Sequence, residues 1–534
     1  MKNALEIEQL TVSLPKDADR PYAIENINLR VSRNEIVCVV GESGSGKSVT
    51  AFTVMGLHDK RALKKTNGKI ILEGEDITNA SAAVLRARRG EKMAMIFQEP
   101  MTALNPVLKV GEQISEMLKI HTSLTPSTRK SRVIKSMQDV DLPNPEKLYN
   151  SYPHQISGGQ RQRIMIAMAL VMEPGLLIAD EPTTALDVTT QANILKLIKE
   201  IQRRRGMGVL FITHDFGVVA DIADRVVVMQ EGKIVEQGNV NKVLKQPTHD
   251  YTKMLISSVP SMKPPKRNKV SGDAALTVNQ VNKTFGGLGL FGDGRKVHAA
   301  KNVSFDIKAG ETTGIVGESG SGKSTVARCI IRLIDPNSGK ILIDNIDIAK
   351  LKESRLRPLR KNFQIVFQDP YRSLNPRRTV GQSIIEGPTN FGVHIDEAVQ
   401  RARDLMQIVG LQADALERFP HQFSGGQRQR ICIARALAME PQILIADEAV
   451  SALDVSVQAQ VLELLDDVKK KFDLAMLFIT HDLRVAAQVC DNIVVMREGE
   501  IVERGSTFDI YIKPKHSYTK ALLNAAPGHN FFST

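Results

Sequence analysis

The octapeptide Gly-Glu-Ser-Gly-Ser-Gly-Lys-Ser occurs twice in this chain, at residues 41–48 and again at residues 317–324. Each copy follows a short run of β-forming residues, at 36–40 in the first case and at 313–316 in the second. A glycine-rich loop that ends in Lys-Ser, placed between a strand and a helix, turns its backbone N–H groups inward and is typical of polyphosphate binding. The sequence therefore predicts two phosphate-binding loops, each inside an α/β fold.

Three further motifs repeat in the same order. Ser-Gly-Gly-Gln-Arg-Gln-Arg begins at Ser157 and Ser424, Ile-Ala-Asp-Glu ends at Glu181 and Glu448, and Phe-Ile-Thr-His-Asp has its histidine at His214 and His481. The copies of each of these motifs lie 267 residues apart, and the copies of the octapeptide lie 276 apart. Four motifs in one order at nearly constant separation predict two homologous domains.

We predict that the first domain spans residues 1–260, that residues 261–273 form a linker, and that the second domain spans residues 274–534. The linker is rich in proline and cations, which favours an extended and semi-rigid connection. A chain of 534 residues is too long for one ordinary hydrophobic core. A stretch with five glycines at 286–296 indicates a surface loop in the second copy, and a variable insertion is its preferred explanation.

Composition excludes several classes of protein. Apolar runs are far shorter than the roughly 18 residues that a membrane-spanning helix needs, and the amino terminus lacks the apolar core of a secretion signal. The four cysteines form neither a CxxC pair nor an evident disulfide framework. The net charge of +12 suits nucleic acid, a ribosome or an anionic membrane face, and does not choose among them.

Short β-type runs alternate with helical stretches, which predicts a mainly parallel α/β core in each half. Two longer segments, residues 99–156 and 369–423, favour helix. We expect each of them to form a helical subdomain inserted into its core.

The phosphate loops supply the first set of candidate ligands. Lys47 and Lys323 are expected to neutralise the β and γ phosphates, and the hydroxyls of Ser48 and Ser324 offer the hard oxygen that Mg²⁺ prefers. The nucleotide-binding candidates in the two loops are Gly41, Glu42, Ser43, Gly44, Ser45, Gly46, Lys47 and Ser48, and Gly317, Glu318, Ser319, Gly320, Ser321, Gly322, Lys323, Ser324 and Thr325.

Apolar runs at 176–179 and 443–446 each end in an acidic pair. Asp180 and Asp447 are expected at the carboxyl edge of the sheet, where they would hold Mg²⁺. The next residues, Glu181 and Glu448, are the catalytic candidates, because a carboxylate there can polarise the water that attacks the γ phosphate.

His214 and His481 also follow β-type runs, and we predict that they contact the γ phosphate. A lone histidine is more often structural, but the repeated strand-His-Asp context favours a role in the site. Gln98 and Gln368 follow apolar runs and are predicted to reach the metal or the attacking water.

Together with these loops, the two Ser-Gly-Gly-Gln motifs resemble the signature of ATP-binding cassette (ABC) ATPases, and the likeness covers nearly the whole chain. The resemblance implies two tandem P-loop NTPase domains, each with a mainly parallel sheet, an antiparallel β subdomain and an inserted helical subdomain. The signature residues that it implies for nucleotide binding are Ser157, Gly158, Gly159 and Gln160, and Ser424, Gly425, Gly426 and Gln427.

In that family two cassettes pack head to tail, so that the signature of one closes over ATP held by the other. The resemblance therefore implies an intramolecular pseudo-dimer with two composite ATP and Mg²⁺ sites. The chain departs from the family pattern at Ile156 and Phe423, where leucine is usual, and at residues 449–450, which are Ala-Val. Tyr22 is a candidate for adenine stacking in the first half, and Phe285 and Phe291 compete in the second.

A finer likeness comes from residues 98–106 and 368–376 and from the closing segments, which we define as residues 249–252 (His-Asp-Tyr-Thr) and 516–519 (His-Ser-Tyr-Thr). These are similar to the oligopeptide and dipeptide importer branch. Members of that branch often carry cysteines for an iron–sulfur cluster after the first closing segment. Residues 257–269 contain none, so no cluster is expected.

The resemblance implies an ATPase that energises a bacterial importer of peptides or peptide-like solutes. It implies two separate membrane permeases, a periplasmic or lipid-anchored solute-binding protein, and a peripheral place on the cytoplasmic face of the plasma membrane. Glutathione, opines, nickel and sugars stay open as substrates. No nucleic-acid partner is expected.

Two other functions are alternatives for a chain with two such cassettes. A soluble twin-cassette ATPase acting on ribosomes or nucleic acid has only the positive charge in its favour, since translation-factor relatives carry a long charged helical linker and DNA-repair relatives carry zinc cysteines. A regulatory ATP sensor without turnover is disfavoured by Glu181 and Glu448.

Overall fold

The computed structural model describes residues 3–59, 61–98, 103–184, 186–267, 270–286, 296–451 and 453–532. The chain divides into two compact units. The first comprises Met1–Leu186 and Thr190–Ser258, and the second comprises Asp187–Thr189 and Val259–Thr534.

The strands of the first unit are β1 (Asn3–Ser13), β2 (Tyr22–Ser32), β3 (Ile36–Val40), β4 (Lys64–Leu72), β5 (Glu75–Asp76), β6 (Met93–Ile96), β7 (Leu176–Asp180), β8 (Gly208–Ile212), β9 (Arg225–Gln230) and β10 (Lys233–Asn239). Its helices are α1 (Lys47–Met55), α2 (Ala82–Arg88), α3 (Val110–His121), α4 (Pro126–Asp139), α5 (Pro145–Tyr149), α6 (Gly158–Leu170), α7 (Val188–Arg205), α8 (Phe216–Ile222), α9 (Val240–Lys245) and α10 (Asp250–Ser257). A short 3₁₀ helix spans Pro153–Gln155.

The central sheet of the first unit has the strand order β10-β9-β3-β8-β7-β6. Its pairs are parallel except for β9 with the edge strand β10. Every residue of β3, β7 and β8 is buried, which explains why these strands are continuous apolar runs instead of alternating ones. The prediction of a mainly parallel α/β core is confirmed.

A second, antiparallel sheet has the order β2-β1-β4-β5. Leu5 and Ile7 of β1 share one hydrophobic core with Val37 and Val39 of β3 and with Leu210 of β8. This core lies between the two sheets and buries one face of the sheet that carries the phosphate loop. The antiparallel subdomain expected from the resemblance is present.

Helices fill most of the first predicted insertion. The Thr125 hydroxyl accepts a hydrogen bond from the N–H of Thr128 at the start of α4, and Pro126 occupies the first helical position, where its missing N–H costs nothing. Val133 and Met137 of α4 are fully buried. Residues 110–149 therefore form the expected helical subdomain.

The strands of the second unit are β11 (Ala274–Phe285), β12 (Val297–Lys308), β13 (Thr312–Val316), β14 (Ser338–Ile343), β15 (Ile346–Asp347), β16 (Phe363–Val366), β17 (Ile443–Asp447), β18 (Ala475–Ile479), β19 (Asn492–Arg497) and β20 (Glu500–Ser506). Its helices are α11 (Lys323–Ile330), α12 (Glu353–Leu356), α13 (Pro370–Ser373), α14 (Val380–Asn390), α15 (Ile395–Ile408), α16 (Gly425–Leu437), α17 (Val455–Phe472), α18 (Leu483–Val489), α19 (Thr507–Ile512), α20 (Ser517–Asn524) and α21 (His529–Phe532). Its 3₁₀ helices span Arg357–Asn362, Ala413–Glu417 and Pro420–Gln422.

The second unit repeats the design of the first. Its central sheet has the order β16-β17-β18-β13-β19-β20, with β20 antiparallel at one edge, and its antiparallel sheet has the order β12-β11-β14-β15. The second predicted insertion contains α13, α14 and α15. The glycine-rich stretch expected at 286–296 lies, from 287 to 295, outside the described residues, and Phe291 lies there with it.

Part of the predicted linker is held against the second unit. Arg267 donates to the Asp491 carboxylate at 3.2 Å, and Gln488 Nε2 donates to the carbonyls of Ser261 at 2.8 Å and Lys263 at 3.0 Å. These bonds fix residues 261–267 along α18 and the start of β19. In the described part of the chain, no helix has both the length and the apolar character needed to cross a bilayer.

Candidate active sites

Each phosphate loop joins the end of a buried strand to the start of a helix. Gly41 has a φ of 147°, and a Cβ there would lie 2.2 Å from the carbonyl oxygen of Met229. Gly317 has a φ of 150° and would meet the carbonyl of Met496 at the same distance. Only glycine allows the loop to pass so close to the neighbouring strand, which explains why both copies begin with it.

The loop lysines are buried against their own loops. Lys47 Nζ donates to the carbonyls of Gly41 at 2.7 Å and Glu42 at 2.8 Å. Lys323 Nζ makes the same bonds to Gly317 and Glu318, both at 2.8 Å. Burial lowers the pKa of Lys323, because desolvation disfavours the charged form. An anionic ligand at the loop would favour the charged ammonium.

The predicted metal ligands meet in both units. Ser48 Oγ donates to Asp180 Oδ1 at 3.1 Å, and Ser324 Oγ donates to Asp447 Oδ1 at 3.0 Å. Burial raises the pKa of Asp180 to about 6 and also raises the pKa of Asp447. The hydrogen bonds from the serines lower both pKa values, but by less than burial raises them. A buried carboxylate beside a hydroxyl is a set of hard oxygen donors that fits Mg²⁺, and a bound cation would favour the charged carboxylate.

The glutamates that follow these aspartates adopt an unusual backbone conformation. Glu181 has a φ of 47° and Glu448 a φ of 52°, in the left-handed region that non-glycine residues seldom occupy. The Glu181 N–H donates to the carbonyl of Ile212 at 2.9 Å, and the Glu448 N–H donates to that of Ile479 at the same distance. The sheet therefore holds both glutamates in a strained turn of the kind found at functional sites.

The structure brings the predicted glutamine, glutamate and histidine of each unit together. Gln98 Nε2 donates to Glu181 Oε2 at 2.9 Å, and His214 Nδ1 lies 3.1 Å from Glu181 Oε1. In the second unit, Gln368 Nε2 donates to Glu448 Oε2 at 2.8 Å, and His481 Nδ1 lies 3.5 Å from the same oxygen.

The electrostatics of these clusters keep the glutamates charged. Burial by itself would raise the pKa of Glu181, but His214, together with the Thr184 hydrogen bond and the Lys47 charge, outweighs it, so the pKa is lowered. His481 lowers the pKa of Glu448 in the same way. Burial opposes the protonation of His481, yet Glu448 raises the pKa of the imidazole. Each cluster therefore presents a carboxylate that is ionised at neutral pH.

The two signatures begin long helices. Ser157 Oγ accepts from the N–H of Gln160 at 3.3 Å, while Gln160 Oε1 accepts from the N–H of Ser157 at 3.1 Å. Ser424 and Gln427 form the same reciprocal pair. This capping box fixes the amino ends of α6 and α16, and the N–H groups at such an end attract anions.

Sequence reasoning missed several residues that support the sites. Thr184 Oγ1 donates to Glu181 Oε2 at 3.0 Å, whereas the corresponding Ser451 Oγ donates to the backbone carbonyl of Glu448. The hydroxyl of Tyr251 lies at the phosphate loop. Tyr251 lies in a closing segment, which in the sequence indicated only the oligopeptide and dipeptide importer branch. No signal in the sequence placed these side chains at the sites, because the contacts depend on the tertiary fold.

The adenine contact stays a prediction. Tyr22 is the first residue of β2, and Phe285 is the last residue of β11. Lys283 Nζ lies 5.2 Å from the centroid of the Phe285 ring.

Comparison with known proteins places the chain in a family. It matches the family described as ABC transporter at residues 24–184 and 300–451, which together make up more than half of the chain. It also matches the family described as oligopeptide/dipeptide transporter, C-terminal region, at residues 235–286 and 502–531. The second match contains both closing segments.

The chain is 44% identical to the glutathione import ATP-binding protein GsiA of Salmonella paratyphi A (strain ATCC 9150 / SARB42), over 98% of the chain and 90% of that protein. It is 45% identical to GsiA of Escherichia coli O157:H7 over the same shares. Among solved structures, a dimeric post-hydrolysis state of the ATP-binding cassette MJ0796 bound to ADP and Pi is similar at a TM-score of 0.40 and 28% identity, covering 44% of this chain and 98% of that one. The resemblance drawn from the motifs is confirmed: the chain belongs to the ABC transporter family, in its oligopeptide and dipeptide branch, as an ATPase with two cassettes.

Proposed function

We propose that this chain is the ATP-hydrolysing subunit of an importer for peptides or peptide-like solutes. The observation that carries the proposal is the cluster around Glu181, repeated around Glu448, in which a glutamine and a histidine hold a charged carboxylate beside a phosphate loop. Two relatives of nearly full-length similarity are named as glutathione import ATP-binding proteins, which supports the direction of transport.

In this proposal the phosphate loops bind ATP through their inward N–H groups and through Lys47 and Lys323. Ser48 and Asp180, with Gln98, would hold Mg²⁺ in the first unit, and Ser324 and Asp447, with Gln368, would hold it in the second. The bound ion would neutralise charge on the phosphate oxygens.

The glutamate, histidine and glutamine of each cluster have separate roles in ATP hydrolysis. Glu181 accepts a proton from the attacking water or polarises it, since its lowered pKa leaves it as a free base at neutral pH. His214 keeps that carboxylate oriented through Nδ1, and its protonated form has a second N–H, on Nε2, to donate toward the γ phosphate. Gln98 positions the water or the metal. Glu448, His481 and Gln368 have the same roles in the second unit.

We infer from the family resemblance that each signature completes the site of the other half. The Ser424 to Gln427 signature would close over ATP at Lys47, and the Ser157 to Gln160 signature would close over ATP at Lys323. A helix amino end at the γ phosphate adds N–H donors and a partial positive charge.

We also propose the bounds of the domains: the two cassettes span residues 1–260 and 274–534, and the linker between them spans residues 261–273.

An importer subunit needs partners. We propose two transmembrane permeases, whose cytoplasmic helices dock on the helical subdomains, and a periplasmic or lipid-anchored protein that delivers the solute. The ATPase would lie on the cytoplasmic face of the plasma membrane. Peptides are the proposed substrate class and glutathione is its nearest alternative.

The test is to purify the tagged chain from its native membranes and to identify its partners by mass spectrometry. We expect two permeases and a solute-binding protein, and the double variant Glu181→Gln with Glu448→Gln serves as a control that should retain them. Recovery of ribosomal proteins or nucleic acid without permeases would overturn the transport proposal.

A further inference from the structure

A tyrosine from each closing segment reaches the second residue of the phosphate loop in its own unit. The Tyr251 hydroxyl accepts from the N–H of Glu42 at 3.2 Å and lies 3.2 Å from Glu42 Oε2. The Tyr518 hydroxyl accepts from the N–H of Glu318 at 3.1 Å. Both tyrosines are 7% exposed. These contacts join residues 200 or more positions apart, and they occur in both units.

The position of each tyrosine is itself fixed by a strand at the edge of the central sheet. In the first unit, Glu236 of β10 accepts from the N–H groups of Thr248 at 2.8 Å and His249 at 3.1 Å. His249 Nδ1 then accepts from the N–H of Tyr251 at 3.2 Å and caps α10. The start of this helix is therefore bonded to the sheet and cannot drift from the loop without breaking several hydrogen bonds.

The second unit contains the same sequence of bonds. Glu503 of β20 accepts from the N–H groups of Lys515 at 2.7 Å and His516 at 3.0 Å. His516 Nδ1 accepts from the N–H of Tyr518 at 3.1 Å. The Arg497 guanidinium lies 5.1 Å from the centroid of the Tyr518 ring, close enough for a cation–π contact. Two copies with one arrangement indicate a shared role.

Glu42 is held from both sides. Its N–H bonds the tyrosine hydroxyl, while its carbonyl accepts from Lys47 Nζ, the lysine expected to move onto phosphate when ATP binds. Glu318 is held in the same way by Tyr518 and Lys323. When the lysine exchanges its loop carbonyl for a phosphate oxygen, the tyrosine bond to the N–H stays available to keep the start of the loop in place.

We propose that Tyr251 and Tyr518 are positioning residues for ATP binding, which hold the first turn of each phosphate loop in its phosphate-accepting conformation. The closing segments are thereby part of the support of the ATP sites. This inference rests on the proposal that the two loops bind the ATP that is hydrolysed. It assigns the tyrosines no contact with the reacting atoms.

The test compares the purified chain with the double variant Tyr251→Phe and Tyr518→Phe, which keeps both rings and removes only the hydroxyls. Loss of one modest hydrogen bond per loop is expected to raise the KM for ATP and the Kd of a fluorescent ATP analogue by about three- to tenfold. The kcat at saturating ATP should stay within about twofold, because the Gln, Glu and His clusters are untouched. Each single variant should show a smaller shift.

Tyr511→Phe is the matched control, since the Tyr511 hydroxyl donates at 2.5 Å to the carbonyl of Leu483, which belongs to neither phosphate loop. It is expected to lower the thermal midpoint without changing the KM. The inference is overturned if the double variant keeps the wild-type KM and Kd, or if it loses only thermal stability as Tyr511→Phe does. Absence of ATP hydrolysis by the wild-type chain would instead contradict the proposed function.

Discussion

His214 Nδ1 lies 3.1 Å from Glu181 Oε1 at the carboxyl end of the central sheet of the first unit. The other carboxylate oxygen accepts from Gln98, and the backbone of Glu181 has a left-handed φ of 47°. A non-glycine residue in this conformation costs about 1–3 kcal/mol of backbone strain, so the surrounding structure must hold it there. The second unit keeps the same costly arrangement at Glu448.

Replacement of both glutamates is the first prediction. Glu181→Gln with Glu448→Gln should lower ATP turnover by roughly 100-fold or more, the scale of losing a positioned base, while Mg-ATP binding is retained. Glu200→Gln with Glu463→Gln is a suitable control, because both side chains are exposed on helices. Turnover is measured by phosphate release and binding by equilibrium titration. Wild-type turnover in the first variant would show that these carboxylates are not the catalytic groups.

The second prediction concerns the metal. Ser48→Ala with Ser324→Ala removes the hydroxyl that lies about 3 Å from the aspartate carboxylate in each unit. The Mg²⁺ concentration for half-maximal ATPase activity should rise about tenfold. Ser48→Thr with Ser324→Thr restores a hydroxyl and should return the value close to that of the wild type. An unchanged Mg²⁺ requirement in the alanine variant would exclude these serines as ligands.

The third prediction concerns Glu236, a carboxylate outside the predicted catalytic clusters whose pKa is lowered in the folded protein. Burial of Glu236 opposes its ionisation, but hydrogen bonds from Thr248 and neighbouring groups lower its pKa from 4.5 to about 2. A lowered pKa in the folded state stabilises the protein fully above about pH 4.5, and this contribution is lost as the pH falls toward 2. Glu503 has a pKa lowered in the same direction.

Thermal unfolding of the wild type and of Glu236→Gln with Glu503→Gln checks this dependence. At about pH 6 the variant should have the lower thermal midpoint. Its free energy of unfolding should be lower by at most about 1 kcal/mol per site, because solvent screens these partly exposed hydrogen bonds. The gap should narrow at about pH 3, where protonation has removed part of the wild-type advantage. A gap that is constant or that widens on acidification would contradict the assigned direction.

The fourth prediction tests the packing of the second unit. Phe478 of β18 is fully buried, and Phe478→Ala should lower the free energy of unfolding by about 3–5 kcal/mol through lost burial and a cavity. Phe472→Ala is the control, because this ring at the end of α17 is 37% exposed, and its cost should be within about 1 kcal/mol. Equal losses in chemical denaturation would contradict the packing described for β18.

The parts of the fold that sequence reasoning predicted share one property: their signals are local. The apolar run at 176–179 predicted a buried strand, and the acids after it predicted the sheet edge that holds Asp180 and Glu181. The Ser-Gly-Gly-Gln motif at 157–160 carried the family resemblance through its local residues, and the structure shows it as a capping box at the start of α6. Such patterns depend on the strand and helix periods and on the geometry of one loop.

The parts that escaped prediction depend on distant contacts. Tyr251 contacts Glu42 only because β10 and α10 fold back beside the phosphate loop. The two residues are 209 positions apart, and no pattern in the sequence predicts their contact. The hydrogen bond from Thr184 to Glu181 spans only three residues, but it forms in a turn where Glu181 has a left-handed backbone conformation. A glutamate in the sequence does not predict that conformation.

The central claim is that ATP hydrolysis by this chain drives uptake of peptide-class solutes. The most direct measurement places the complex co-purified with the chain in proteoliposomes, with Mg-ATP trapped inside and binding protein with labelled peptides or glutathione outside. We predict accumulation of label that requires ATP and disappears with Glu181→Gln and Glu448→Gln. Continued ATP hydrolysis without accumulation of any of these solutes, or equal accumulation with the double variant, would contradict the account.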